Sequence, residues 1–220
     1  MSEPAILKPL EEIPGVYVAR KASLRCTAFV LKDGGVCLWS PLNGMAAQIA
    51  QDLTGIGPVK FLLAPNHYHN KALIEYYELF SEARLCAPER AHARLNKVTG
   101  LDFEGLGTLG SALPEHLSIL EPEGLKNGEI WIKSALQKRI SWFVVDALSG
   151  EKMSAKKDRG EDVVMMKTFP NFGIDDAKIY SAWVLRQLAK DKPALVVPCH
   201  GAIIANDQLS GSIEEILINL

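Results

Sequence analysis

Two histidines one residue apart, His67 and His69, are the most chemically informative pair in the chain. They follow the apolar run VKFLLAP at residues 59–65, which has the character of a strand buried on both faces. If the loop stays extended, side chains at positions i and i+2 project to the same side, and imidazole is the commonest metal ligand near neutral pH. The pair therefore indicates half of a metal site or, as the alternative, a polar surface loop.

Two further candidate ligands also follow apolar runs. Asp146 comes directly after SWFVV, and His200 follows ALVVPC and precedes Gly201. Ligand sites in layered α/β folds collect at strand ends, and three histidines with one aspartate form an adequate ligand set for zinc, manganese or iron. The alternatives are a helix cap or turn acid for Asp146 and a hydrogen-bonded structural histidine for His200.

The elements that would position these residues form two successive groups. Residues 16–40 are predicted to form three strands, with a hairpin turn at Asp33-Gly34-Gly35 before the third. Residues 45–96 alternate helix, strand, helix, strand and helix, which is the pattern of a layered α/β domain. The apolar segments within residues 117–148 then predict a second set of strands.

The last third of the chain is again predicted to alternate between helix and strand. We predict a helix over residues 175–191, a strand over 194–198 and a terminal helix over 206–219. The glycine-rich residues 99–115 are predicted to form an irregular connection. The charge-dense residues 151–162 indicate a solvated loop or, as the alternative, a mobile flap near a site.

Length and charge exclude several classes of protein. The chain has 220 residues, of which 48% are hydrophobic and 23% charged, as is typical of a globular domain, and we expect one domain over residues 1–220. The net charge of -2 argues against a dedicated electrostatic nucleic-acid binder. No apolar run approaches the roughly 20 residues that cross a bilayer, and the acidic N-terminus is unlike a signal peptide. We therefore expect a cytoplasmic protein with no nucleic-acid or membrane partner, and the oligomeric state stays open.

The order of these features resembles the metallo-β-lactamase superfamily over residues 16–219. A strand leads to the His-x-His pair, a later strand leads to Asp146, and a helix and strand lead to His200. The phrase Ala64-Pro65-Asn66 resembles an uncharacterised branch of that superfamily. The resemblance implies an α/β fold, an αββα four-layer sandwich. It also implies that Asp146 is the acid that bridges two metals in the family and that His200 is the last histidine of the second metal site.

The superfamily motif HxHxDH is incomplete in this chain. His67 and His69 match its first two histidines, whereas Lys71 and Ala72 occupy the positions of its aspartate and last histidine. The resemblance therefore implies that both second-metal ligands of the motif are missing. The Lys71 ammonium could substitute for the lost metal by pairing with Asp146, or it could point into solvent. The only histidine between Pro114 and Asp146 is His116, a weak candidate for the family's third first-site histidine.

Two functional hypotheses from different classes remain. The leading one is a metal-dependent, hydrolase-like protein that acts on a small molecule through an incomplete site holding one divalent metal or none. Its candidate ligands are His67, His69, Asp146 and His200, with Asp146 and His200 as the catalytic candidates. The alternative is a non-catalytic binding protein on the same fold, because loss of motif ligands is also what decay of a catalytic site produces.

Overall fold

The computed structural model of the protein describes residues 5–153 and 158–220. The chain divides into two compact units, Met1–Glu115 and His116–Leu220. Each unit contains its own six-stranded sheet. The expectation of one domain over residues 1–220 stays a prediction.

The sheet of the first unit has its six strands in chain order. They are β1 (Lys8–Pro9), β2 (Val16–Lys21), β3 (Leu24–Val30), β4 (Val36–Trp39), β5 (Val59–Leu63) and β6 (Arg84–Cys86). The first four strands pair antiparallel, and β4, β5 and β6 pair parallel. The predicted hairpin turn is present between β3 and β4, where the Asp33 carboxylate accepts a hydrogen bond from the Gly35 amide.

Four helices belong to this first unit. They are α1 (Ala46–Leu53), α2 (Leu73–Leu79), α3 (Glu89–Thr99) and α4 (Gly107–Ala112). The Glu75 carboxylate on α2 accepts hydrogen bonds from the amides of Gly44 and Ala46, and so caps the first turn of α1. Helix α4 lies inside the segment that was expected to be irregular. Its Leu109 is fully buried, and this packing outweighs the low helix propensity of the neighbouring glycines.

The strands of the second unit follow a different order. They are β7 (Leu117–Leu120), β8 (Trp131–Leu136), β9 (Arg139–Val144), β10 (Ser149–Gly150), β11 (Arg159–Gly160), β12 (Val163–Val164), β13 (Leu195–Pro198) and β14 (Ile203–Ile204). The six-stranded sheet has the order β11-β14-β13-β9-β8-β7, and β10 pairs with β12. Strands β9 and β13 are therefore adjacent, and they run parallel.

Three helices pack on this second sheet. They are α5 (Phe169–Gly173), α6 (Ala177–Asp191) and α7 (Leu209–Ile218). The rings of Trp142 and Trp183 each lie 5.3 Å from that of Trp131, and together they form the aromatic centre of the core. Among the helices of the described ranges, none is long and apolar enough to cross a bilayer.

The charge-dense segment is only partly described. Residues 154–157 of the predicted loop lie outside the described residues, and Arg159–Gly160 forms the short strand β11. This strand pairs with β14, which also has two residues. Strands this short carry too little hydrophobic alternation for a sequence pattern to reveal them.

The N-cap of α6 carries a first testable prediction. The Asp176 carboxylate accepts hydrogen bonds of 2.9 Å from the amides of Lys178 and Ile179. Replacement by alanine leaves both amides without this acceptor, so Asp176→Ala should lower the free energy of unfolding by about 1 kcal/mol in urea denaturation. The neighbouring exposed acid gives the control, because Asp175→Ala should cost clearly less. Equal losses in the two variants would contradict the capping role.

Candidate functional site

Two of the four predicted ligands meet at the ends of neighbouring parallel strands. Val144 at the end of β9 lies opposite Pro198 at the end of β13. Asp146 and His200 each follow two residues beyond these positions, so the register of the sheet places them side by side. His200 Nε2 lies 2.9 Å from Asp146 Oδ1, and the two side chains are 23% and 5% exposed.

The backbone around His200 is held on both sides. The amide of Cys199 donates to the carbonyl of Val144, and the carbonyl of His200 accepts from the amide of Gly150. Gly201 has a φ of +81°, a conformation that side-chain-bearing residues rarely adopt. The chain can therefore turn sharply directly after His200.

A carboxylate that the sequence analysis did not single out, Glu129, contacts the backbone on either side of Asp146. Glu129 Oε1 accepts from the amides of Val145 and Ala147, both at 3.2 Å, and Oε2 accepts from the Asp146 amide at 3.0 Å. The indole N–H of Trp131 donates to Oε1 at 2.8 Å. Glu129 is only 2% exposed, so these groups stand in for water around its carboxylate.

The electrostatic environment of Glu129 is unusual for a glutamate. Burial raises its pKa from the ordinary range to about 7, and the nearby Asp146 carboxylate adds to the increase. Hydrogen bonds from the Trp131 indole and from the backbone amides of Asp146 and Ala147 lower the pKa and offset part of this. A carboxyl with these properties next to a candidate ligand is a typical feature of a functional site.

The histidine pair of the first unit lies in a turn, so the condition of an extended loop is not met. The Asn66 side chain accepts hydrogen bonds from the amides of Tyr68 at 2.8 Å and His69 at 3.1 Å. The Asn70 side chain donates to the carbonyl of His67 at 2.7 Å. Asparagine side chains commonly form such local bonds and so favour a turn over extended backbone. The i and i+2 argument for a shared direction therefore does not apply here.

His69 is oriented by a serine that the sequence analysis also missed. Its Nδ1 lies 2.6 Å from Ser40 Oγ, and Ser40 directly follows β4, the parallel neighbour of β5. Ser40 is buried and has a φ of +53°, which is uncommon for a residue with a side chain. When Nδ1 carries the proton and donates to Ser40, Nε2 keeps its lone pair, which is the tautomer that a metal ligand needs.

The other residues around the pair have structural or surface roles. The rings of His67 and Tyr68 meet edge to face at 4.3 Å, and the Arg94 guanidinium lies 4.7 Å from the centre of the Tyr68 ring. Lys71 is exposed and forms no ion pair within residues 5–153 and 158–220. This favours the solvent-facing alternative for Lys71 over its interpretation as a substitute for the second metal.

Comparison with known proteins supports the fold and goes no further. No family model matches the sequence, and no curated protein sequence matches it. Solved structures do match, and the three that follow are among them. A metallo-β-lactamase from Pontibacter korlensis has a TM-score of 0.63 and 13% identity, over 94% of this chain and 97% of that one. The metallo-β-lactamase FIM-1 from Pseudomonas aeruginosa, in its mono-zinc form, has a TM-score of 0.65 and 14% identity, over 99% of this chain and 96% of that one.

The third structure has a different activity. Rubredoxin oxygen:oxidoreductase from Desulfovibrio gigas has a TM-score of 0.68 and 12% identity, over 96% of this chain but only 61% of that one. The two six-stranded sheets and the seven helices of the described residues thus match an α/β sandwich that serves more than one chemistry. The resemblance noted in the sequence is confirmed for the fold: this chain has the metallo-β-lactamase fold.

Proposed function

We propose that this protein is a metal-dependent, hydrolase-like protein that holds one divalent metal, with His67, His69, Asp146 and His200 as the candidate ligands. The observation that carries the proposal is the pair formed by Asp146 and His200, whose ligand atoms lie 2.9 Å apart at the ends of two parallel strands. Imidazole nitrogens together with a carboxylate oxygen suit zinc, manganese or iron.

The chemistry of these side chains fits such an ion. Two ligands of a tetrahedral zinc lie about 3.4 Å apart, because each is about 2.0–2.2 Å from the metal. The separation of Asp146 Oδ1 and His200 Nε2, 2.9 Å, is that of a hydrogen bond, so the pair would open by about 0.5 Å to hold the ion. The contact of Ser40 with His69 Nδ1 supplies the outer hydrogen bond that a metal-binding histidine usually has.

A single metal is favoured over two. The resemblance places Lys71 and Ala72 at the positions where the family motif has its second-metal aspartate and histidine. Neither an ammonium nor a methyl group can ligate a cation at neutral pH.

The reaction that this site supports best is hydrolysis of a small molecule. A bound divalent metal would lower the pKa of water to roughly 7 and polarise a carbonyl or phosphoryl oxygen. Asp146 would ligate the ion or orient the attacking water through its carboxylate, and His200, which is partly exposed, would help to hold the ion where a substrate can reach it. The competing function is a non-catalytic binding protein, which the replacement of both motif residues by Lys71 and Ala72 favours.

Metal analysis of the purified protein tests the proposal. We expect about one equivalent of zinc, manganese or iron in the wild type after dialysis, and its loss in His69→Ala. His92→Ala is the matched control, because His92 on α3 has its Nε2 2.9 Å from the carbonyl oxygen of Ala87, just before that helix, and so has a structural role. No bound metal in the wild type, or two equivalents, would refute the proposal of a single-metal site.

A second measurement separates the two functions. Metal-loaded protein would be assayed against chromogenic esters, lactams and phosphodiesters, with His69→Ala and His92→Ala in parallel. Hydrolysis that depends on His69 and not on His92 supports the hydrolase. Stoichiometric metal without hydrolysis of any probe would support the binding protein.

A further inference from the structure

We infer that Glu129 is a positioning residue of this centre: its buried carboxylate holds the turn of residues 145–147 so that Asp146 faces His200. The residue that it adds to the proposed site, Glu129, is not part of the HxHxDH motif. The inference concerns the contact of Asp146 Oδ1 with His200 Nε2, which can be followed in metal-free protein. Only the metal-binding arm of its test rests on the proposed function.

The hydrogen bonds of Glu129 converge on the turn that carries Asp146. The amides of three consecutive residues, Val145, Asp146 and Ala147, all donate to its two oxygens at 3.0–3.2 Å. The Trp131 indole and the Asn127 side-chain amide donate from the other side, at 2.8 Å and 3.3 Å. The position of this one carboxylate therefore determines where the Asp146 backbone lies.

Asn127 in turn anchors the backbone of Glu129. Its side-chain oxygen accepts from the Glu129 amide at 3.2 Å, and Asn127 itself is fully buried. The loop before β8 and the loop after β9 are thus tied to each other through buried polar groups. Networks in which every group is satisfied make a local geometry rigid.

A second buried acid in the same unit shows what a purely structural carboxylate looks like here. Asp191 accepts from the Trp142 indole, as Glu129 does from Trp131, but it also pairs with Lys133 at 3.1 Å. Within residues 5–153 and 158–220, Glu129 has no lysine or arginine partner. A buried carboxylate without a cation is costly, and at Glu129 the backbone amides of the Asp146 turn offset that cost.

Glutamine at this position keeps the shape but not the acceptors. Glu129→Gln replaces one oxygen by an NH2 group, which would then face donors that it cannot accept from. At least one amide of the turn at residues 145–147 must lose its bond, so the turn and the Asp146 side chain shift. Asp191→Asn is the matched control, since it also removes a buried carboxylate that accepts from a tryptophan.

The test reads the site in two independent ways. In metal-free protein, the ring nitrogen chemical shifts of His200 report its contact with Asp146. In metal-loaded protein, competition titration gives the zinc dissociation constant. We expect Glu129→Gln to move the His200 signals and to weaken zinc binding about 10- to 100-fold, the usual effect of removing a hydrogen-bonded support of a ligand. Asp191→Asn should lower stability and leave both readings unchanged.

The outcomes distinguish this inference from the proposed function. If the wild type binds neither zinc, manganese nor iron, the proposed function fails, and the His200 signals alone decide the role of Glu129. Unchanged signals in a folded Glu129→Gln protein would overturn the inference. If that variant does not fold, Trp131→Phe removes one donor from Glu129 and keeps an aromatic ring. An intermediate shift of the His200 signals is expected there, and no shift would overturn the inference.

Discussion

Replacing Asp146 by asparagine is expected to weaken zinc binding by at least about 100-fold. Removing a residue that only hydrogen-bonds to a metal ligand already weakens binding about 10- to 100-fold, and Asp146 is proposed to be a ligand itself. The substitution keeps the size of the side chain but removes its negative charge. It also leaves the backbone amide of Asp146 available to Glu129, so the turn itself should persist. The measurement is competition titration of the metal-free protein with a chelator of known affinity.

Asp191→Asn is again the control for a lost buried carboxylate. Asp191 pairs with Lys133 and Trp142 and is not among the candidate ligands. It should therefore destabilise the protein while zinc binding stays within about twofold of the wild type. Equal zinc affinity in Asp146→Asn and the wild type would remove Asp146 from the ligand set.

Replacing Gly201 by alanine is expected to lower the free energy of unfolding by at least about 2 kcal/mol, as strained backbone and overpacking together commonly do. A Cβ at this position would lie 2.2 Å from the carbonyl oxygen of Gly150 and 2.7 Å from its carbonyl carbon. Both are backbone atoms and cannot rotate away as the end of a side chain would. The φ of +81° adds strain for any residue with a side chain.

Gly211→Ala in α7 is the matched control for this substitution. Gly211 is helical, and a Cβ there would meet nothing within 4 Å. Alanine should therefore stabilise the protein by about 0.5–1 kcal/mol, because glycine is entropically unfavourable inside a helix. Urea denaturation compares the two variants with the wild type. A Gly201→Ala protein as stable as the wild type would show that the backbone next to His200 tolerates displacement.

Much of the architecture could be predicted from local patterns. The strands at residues 16–21, 24–30 and 36–39 and the long helix that ends at Asp191 agree with the predictions to within a few residues. These elements have clear apolar periodicity, and turn or capping residues bound several of them. The sequence resemblance to the metallo-β-lactamase superfamily supplied the fold class, which the solved structures support.

The elements that were missed carry too little local signal. Helices α4 and α5 have six and five residues, and β10, β11, β12 and β14 have two each. Such short elements persist because tertiary contacts hold them, as the buried Leu109 and Phe169 do for the two helices. Intrinsic propensity decides little at this length.

The candidate site likewise contains residues with a local sequence signal and residues that only tertiary contacts reveal. Asp146 and His200 could be named from the sequence, because a polar residue directly after an apolar strand is itself a local signal. Lys71 was open to two interpretations, and its exposure favours the solvent-facing one. His67 and His69 were also evident as a pair, but the sequence alone did not reveal that the Asn66 side chain bends them into a turn.

Residue types and their order were thus enough to determine the fold class and the candidate ligands of this protein. Only the tertiary structure decided which groups support them: Ser40 lies 29 positions from His69, and Glu129 lies 17 positions from Asp146. These contacts depend on the register of strands that pair across the sheets, and no local pattern encodes that register. The two supporting residues therefore emerge only after the sheets are assembled, because burial and hydrogen bonding between distant segments create their roles.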